Sequence, residues 1–304
     1  MKTLIVKLNA AGDVVRTTPL LRRMRGDVTW VTAAENAVLV HRLAENVRCL
    51  SWENRSLALD STYDLVINLE DTADIGAFVR SVRHAHLFGA YLDGQEQVRY
   101  TDDARRWFDL SLISVHGRQK ADELKFLNRR TYQDLIFEGL GLRFGGETYL
   151  LPAALDMDLV GDVAIAPVAG PVWPMKNWGH YEQLRRELEA TGLRVNFLPR
   201  RQSLPEHIGD VKNHRCLVSG DSLPMHLALG SGTPCVTIFN CTSPWEICDY
   251  GLQTKIISPL LGEFFYKRSL DPRAVTAVGL NDVVRAVMDT LARGVVDPSV
   301  VTQR

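Results

Sequence analysis

Three segments carry residue types and spacings that could do chemistry. The first, Asn9-Ala10-Ala11-Gly12-Asp13-Val14-Val15-Arg16, follows a β-branched run and opens a helical pattern. In an open α/β sheet that junction is the edge where ligands bind. Asp13 can be read there as a carboxylate stabilised by the helix dipole, worth about 0.3–1 kcal/mol, or as a general base toward a hydroxyl. Asn9, Gly12 and Arg16 are the other candidates to line the crevice. A dinucleotide fingerprint needs three spaced glycines and only Gly12 is present, which counts against a nicotinamide-dependent oxidoreductase.

The second segment runs from Cys216 to Pro234. A strand pattern ends at Gly220-Asp221, a helix starts behind Ser222, and Gly232-Thr233-Pro234 stops it before the next strand. Backbone N–H groups and the dipole at such a helix start suit an anion such as a diphosphate. Asp221, Ser222, Leu223, Met225 and His226 are the candidates there. The plainer reading is a capped helix whose Asp221 and Ser222 satisfy backbone donors, with His226 a packed core histidine. The third segment, Pro171-Val172-Trp173-Pro174-Met175-Lys176-Asn177-Trp178, places Lys176 at a second strand-to-helix edge. A lone loop lysine is usually a solvated charge, and this one could also reach the same diphosphate.

Apolar runs of four to seven residues alternating with longer amphipathic stretches predict βα units and a parallel sheet. The strands expected first are 3–8, 28–32, 63–69 and one around 86–91, with helices over 12–25 and 36–44. The stretch 102–141 breaks the rhythm with two helices, 119–128 and 132–139, and reads as a helical insertion. After a linker toward Gly161 the series restarts: strand 163–167, helix 180–190, strands 194–198 and 215–218, helix 222–229, strands 235–239 and 255–258, and a last helix from Leu280 to about Leu291. The expected class is α/β, as two Rossmann-like domains facing a cleft: residues 1–152, then 160–278, then a helix and tail over 279–304.

The 304 residues, 46% hydrophobic and 23% charged, exclude a disordered or fibrous chain. Thirty-five basic against 36 acidic residues leave no electrostatic footprint for nucleic acid or an anionic membrane. The apolar start Thr3–Leu8 is too short for a signal segment, and no run approaches the ~18 residues of a spanning helix; a cytoplasmic location is expected. Cys49, Cys216, Cys235, Cys241 and Cys248 are odd in number and lack the tight pairing of zinc sites, so buried thiols are expected, with no metal.

Taken together, several of these residues resemble one family. Gly12-Asp13 with Arg-Thr-Thr-Pro-Leu-Leu at 16–21, Lys176-Asn177-Trp178, the run Gly220 to Ala228, Gly-Thr-Pro at 232–234 and Phe239 to Glu246 are similar to the heptosyltransferase family, glycosyltransferase family nine. The resemblance implies a GT-B fold with an N-terminal acceptor domain, a C-terminal nucleotide-sugar domain and a C-terminal helix crossing back to the first. It implies an inverting, metal-independent transfer of a heptose or related sugar from an ADP-activated donor to a glycan, lipid-linked or small-molecule hydroxyl. No cofactor is implied beyond the donor itself. Carried over by position, Asp13 is the general base, Lys176 neutralises the diphosphate, residues 222–226 supply the anion-binding helix start, and Asn9, Gly12 and Arg16 lie on the acceptor side. The alternative from another class is a sugar-nucleotide-binding protein of the same fold without turnover.

Overall fold

The computed structural model describes residues 1–293, and these divide into two compact units. The first comprises Met1–Pro152 together with Trp245–Cys248, and the second the remainder from Ala153. Four residues expected in the second domain therefore belong to the first.

In the first unit β1 (Thr3–Val6) leads into α1 (Ala11–Thr17), and β2 (Val28–Thr32) and β3 (Val47–Ser51) follow. Next come β4 (Thr62–Asn68), α2 (Ala73–Ser81), β5 (Arg83–Leu92) and β6 (Val98–Tyr100). The sheet order is β3-β2-β1-β4-β5-β6. All pairings are parallel except β5 with β6. Every residue of β1 is buried because both neighbours flank it, Thr3 lying opposite Val28 on one side and Leu65 on the other. Leu4, Val6, Val31, Val66, Phe78 and Val79 close one core against this sheet. The chain leaves β1 toward β2 and later returns to its other side as β4, so the carboxyl ends of β1 and β4 form the topological switch point.

The helix expected over 12–25 is shorter. Pro19 has no N–H to give the Val15 carbonyl, the Thr18 hydroxyl takes that carbonyl at 2.7 Å, and the chain tightens into a 3₁₀ turn over Thr18–Arg22. The expected helix 36–44 is likewise a 3₁₀ turn, Ala34–Leu39. There the buried Asn36 side chain donates to the Leu8 carbonyl at 2.6 Å, and Arg42 adopts a φ of 58°. The insertion supplies α3 (Arg105–Phe108), α4 (Arg118–Leu127) and α5 (Tyr132–Gly139), the last begun by a capping box between Thr131 and Asp134.

The second unit contains β7 (Gly161–Ala166), α6 (Tyr181–Ala190), β8 (Val195–Phe197), α7 (Leu204–Lys212), β9 (His214–Gly220) and α8 (Leu223–Ser231). It continues with β10 (Cys235–Phe239), β11 (Gln253–Ile257), α9 (Leu261–Phe264), α10 (Pro272–Thr276) and α11 (Leu280–Arg293). The all-parallel order is β11-β10-β9-β7-β8, which puts the switch point between β7 and β9. Val283, Ala286, Val287 and Leu291 of α11 enter the core formed by Val163, Ile165, Val218 and Ile238. The helix expected from Leu280 is thus present as α11, and its apolar stripe packs on this sheet. The tail expected beyond it, 294–304, lies outside the described residues.

The Thr131→Ala substitution removes the hydroxyl that accepts from the Asp134 N–H. It should cost about 1 kcal/mol of stability, read as a lowered denaturant midpoint with an unchanged slope.

Candidate functional site

Each unit gathers its candidate residues at its own switch point. In the first, Glu70 lies just past β4 and grips the end of β1: one carboxylate oxygen accepts from Lys7 Nζ at 2.8 Å, from the Leu8 N–H at 2.7 Å and from the Asn9 N–H at 3.1 Å. Asn9 thus presents its backbone to Glu70, and Gly12 lies half-buried in the first turn of α1. Asp13, in that same turn, has its carboxylate 36% exposed, with Oδ2 4.0 Å from Lys7 Nζ and Oδ1 2.9 Å from Arg16 Nε. The dipole reading and the ligand-facing reading of Asp13 are compatible, since a first-turn carboxylate can keep an open face.

Arg16 is held from several directions. Its guanidinium lies over the Tyr132 ring with Cζ 4.3 Å from the centroid, and Nη1 is 3.6 Å from the carboxylate of Glu246. Its backbone carbonyl accepts from Gln133 Nε2 at 2.7 Å. Glu246 is 3% exposed and also pairs with Lys125 of α4 at 3.3 Å, while its carbonyl accepts from the Tyr132 N–H at 2.9 Å. Phe126 packs edge-on to Trp245, and the Arg129 guanidinium lies over the same ring with Cζ 3.6 Å from its centroid. Burial, with the Asp13 charge adding to it, pushes the Tyr132 phenol far above its ordinary range. Its hydroxyl stays neutral and bonds Thr17 Oγ1 at 2.6 Å. Sequence reasoning reached Asp13 and Arg16 but not Lys7, Glu70, Lys125 or Tyr132. Glu246 it placed with the donor motif, although the residue belongs to the first unit.

In the second unit the 3₁₀ turn Pro174–Lys176 follows β7, and Asp221 follows β9. Lys176 Nζ lies 2.8 Å from Asp221 Oδ2, which also accepts from Thr242 Oγ1 at 2.7 Å. Burial alone would raise the Asp221 carboxyl. The Lys176 ammonium, the nearby His226 and the two hydrogen bonds outweigh it and hold the carboxyl well below the usual range. The lysine turn is built to fit: a Cβ on Gly220 would come within 2.5 Å of the Lys176 carbonyl oxygen. The buried Asn240 donates to the Met175 carbonyl at 3.0 Å, and Trp178 Nε1 donates to the Val278 carbonyl at 3.0 Å. Lys176 is therefore an anchored, mostly buried cation and not a solvated loop charge.

The α8 start departs from expectation in two respects. Ser222 occupies the N-cap, but its side chain accepts no helix N–H; its hydroxyl donates to the Gly220 carbonyl at 3.3 Å. Met225 is fully buried and its N–H bonds the Ser222 carbonyl, so its side chain serves the core. Leu223 is half-buried at the first helical position, followed by Pro224 without an N–H. His226 is buried beside the Asp221 charge.

All five cysteines are free thiols. Burial pushes Cys49 and Cys241 up to about 11 and Cys235 to about 12. Among the described residues no three His, Cys, Asp or Glu side chains cluster as a metal site would need, and no helix is long and apolar enough to cross a membrane.

Residues 172–263, which include Lys176 and the whole 220–246 region, match the family described as glycosyltransferase family 9 (heptosyltransferase). No curated protein sequence matches significantly. Among solved structures, the heptosyltransferase WaaC of E. coli with ADP is similar at a TM-score of 0.62 and 16% identity, covering 95% of this chain and 100% of that one. WaaC is also known with ADP-2-deoxy-2-fluoro heptose. A family 9 glycosyltransferase from Veillonella parvula aligns at a TM-score of 0.66 and 14% identity over 96% and 97% of the two chains. E. coli ADP-heptose lps heptosyltransferase II aligns at 0.59 and 15% over 96% and 99%. Two Rossmann-like units with these neighbours show a GT-B fold.

The Asp221 carboxyl titrates lower in the folded chain than in the unfolded one. Its pairing therefore stabilises fully above the unfolded value of about 4 and is lost as the pH falls through the folded value. Lys176→Met should leave the carboxylate without its cation and cost about 3 kcal/mol at neutral pH. Denaturant titrations at neutral pH and at about pH 3 check this: the difference between the two proteins should shrink on acidification.

Proposed function

We propose that this protein is a glycosyltransferase of the heptosyltransferase type, which moves a heptose or closely related sugar from an ADP-activated donor to an acceptor hydroxyl, with inversion at the anomeric carbon and without a divalent cation. The observation that carries the reading is the anchored Lys176–Asp221 pair at the β7/β9 switch point, inside the segment that matches the family. WaaC, a protein of the same fold, binds ADP and an ADP-heptose analogue, which supports the choice of donor. The acceptor is a glycan, a lipid-linked sugar or a small molecule, and a cytoplasmic site of action fits such a donor.

In this reading Asp13 takes the proton of the attacking hydroxyl as the oxygen bonds the anomeric carbon and the carbon–oxygen bond to the diphosphate breaks. The leaving group departs as ADP. Lys176 meets the negative charge that grows on the diphosphate, a preorganised cation of the kind that contributes most to such steps. Asp221 positions Lys176, and His226 and the α8 start complete the donor side. A cation already in place for the leaving group removes the need for a metal in that role.

ADP should raise the melting temperature more than UDP or dTDP does, in buffer containing a chelator, because a ligand that binds the folded state alone stabilises it by mass action. Equal shifts for all nucleotides, or a shift that needs magnesium, would contradict the donor assignment. Asp13→Asn keeps the shape of the side chain and removes its basicity. Release of ADP from ADP-heptose should fall by about 10²–10⁴-fold while ADP affinity stays within a few-fold of wild type; near-normal turnover would place the base elsewhere.

A further inference from the structure

Asp13 lies between two cations, each with a carboxylate of its own. Running through the first unit, the order is Glu70, Lys7, Asp13, Arg16, Glu246 and Lys125, with successive distances of 2.8, 4.0, 2.9, 3.6 and 3.3 Å. The charged groups come from the ends of β1 and β4, from α1, from α4 and from the segment 245–248; the Tyr132 hydroxyl on α5 remains neutral. A cation within hydrogen-bond range of a carboxylate favours its ionised form and weakens it as a base. Left alone with Asp13, the Arg16 guanidinium would do this strongly, since it is 12% exposed and poorly screened by water. It is not left alone, because Glu246 engages it through a different nitrogen.

We infer that Glu246 is a positioning residue for the transfer reaction: by sharing the Arg16 guanidinium, it keeps the Asp13 carboxylate available as a base and fixes where it points. The inference rests on the reading of Asp13 as base. The structure supplies three supports. Glu246 is almost completely buried, so its charge acts with little screening. The Arg16 guanidinium lies over the Tyr132 ring, so it cannot swing away from either carboxylate without giving up that contact, and Gln133 holds the backbone from which it projects. Lys125 draws on Glu246 from the far side and sets how much of that charge Arg16 receives.

The signs follow directly. In Glu246→Gln the Arg16 charge loses one of its carboxylate partners, so Asp13 holds its proton less tightly and becomes a weaker base. In Lys125→Met less of the Glu246 charge is offset on its far side, and Asp13 holds its proton more tightly. A purely structural Glu246 would move neither value.

The test is a carboxyl ¹³C NMR titration of the full chain labelled at aspartate, with the Asp13 signal assigned from Asp13→Asn. The Asp13 midpoint should fall by about half a pH unit or more in Glu246→Gln, rise in Lys125→Met, and return toward wild type in Glu246→Asp. A folded Glu246→Gln protein with an unmoved midpoint overturns the inference. Should that variant fail to fold, an unmoved or lowered midpoint in Lys125→Met does so equally. Turnover of Asp13→Asn separates the two ideas: normal turnover with shifted midpoints removes the base, whereas lost turnover with unmoved midpoints removes the role of Glu246.

Discussion

Charge that is taken out of water must be balanced close by, and in this protein that requirement shapes both switch points. The first unit brings three carboxylates and three cations into one partly buried row, so that each charge has an opposite one close by. The backbone serves the row. Glu70 reaches it from the end of β4 only because β4 pairs beside β1, and the same oxygen that binds Lys7 also fixes two amides of the turn leading to Asp13. The helical insertion contributes Lys125, the Tyr132 ring and Gln133. It is part of the wall around the carboxylate and not an ornament on the domain.

The second unit solves the same problem with fewer groups. One lysine and one threonine hydroxyl hold Asp221, and the close approach that brings Lys176 to it depends on Gly220 having no side chain. The bond from Asn240 to Met175 reinforces that turn from the end of β10. The pair is pre-formed, so the direction of the lysine is set by the fold itself.

Much of this was legible in the chain. Alternating β-branched runs located most of the strands, Cys235–Phe239 and Val28–Thr32 among them to the residue, and the two edges carrying Asp13 and Lys176 followed from that alternation. Other elements had local signals that went unread. The helix Leu204–Lys212 is announced by Ser203 and Glu206 in capping-box spacing with Pro205 between them. β3 has only one buried residue, Leu50, and so lacks an apolar run to recognise. The row around Asp13 could not be read locally at all. Glu70, Lys125 and Glu246 lie 57, 112 and 233 positions from it in the numbering, and only strand pairing and the packing of the insertion make them neighbours. Glu246 was assigned by the motif it follows, whereas its counter-ions decided its place.

The passage of Trp245–Cys248 into the first unit also bears on how the molecule is made. Arg16, Lys125 and the Tyr132 amide receive their partner from a residue synthesised almost a hundred positions after Pro152. Domains generally form in order as the chain emerges, yet here the leading unit must wait for residue 248 before its ionic row is complete. A fragment ending at Pro152 would keep Arg16 and Lys125 but lack the Glu246 carboxylate that both of them face. The boundary that looks like the natural place to divide this protein is therefore a poor place to cut it, and its two halves are bound into a single biosynthetic event.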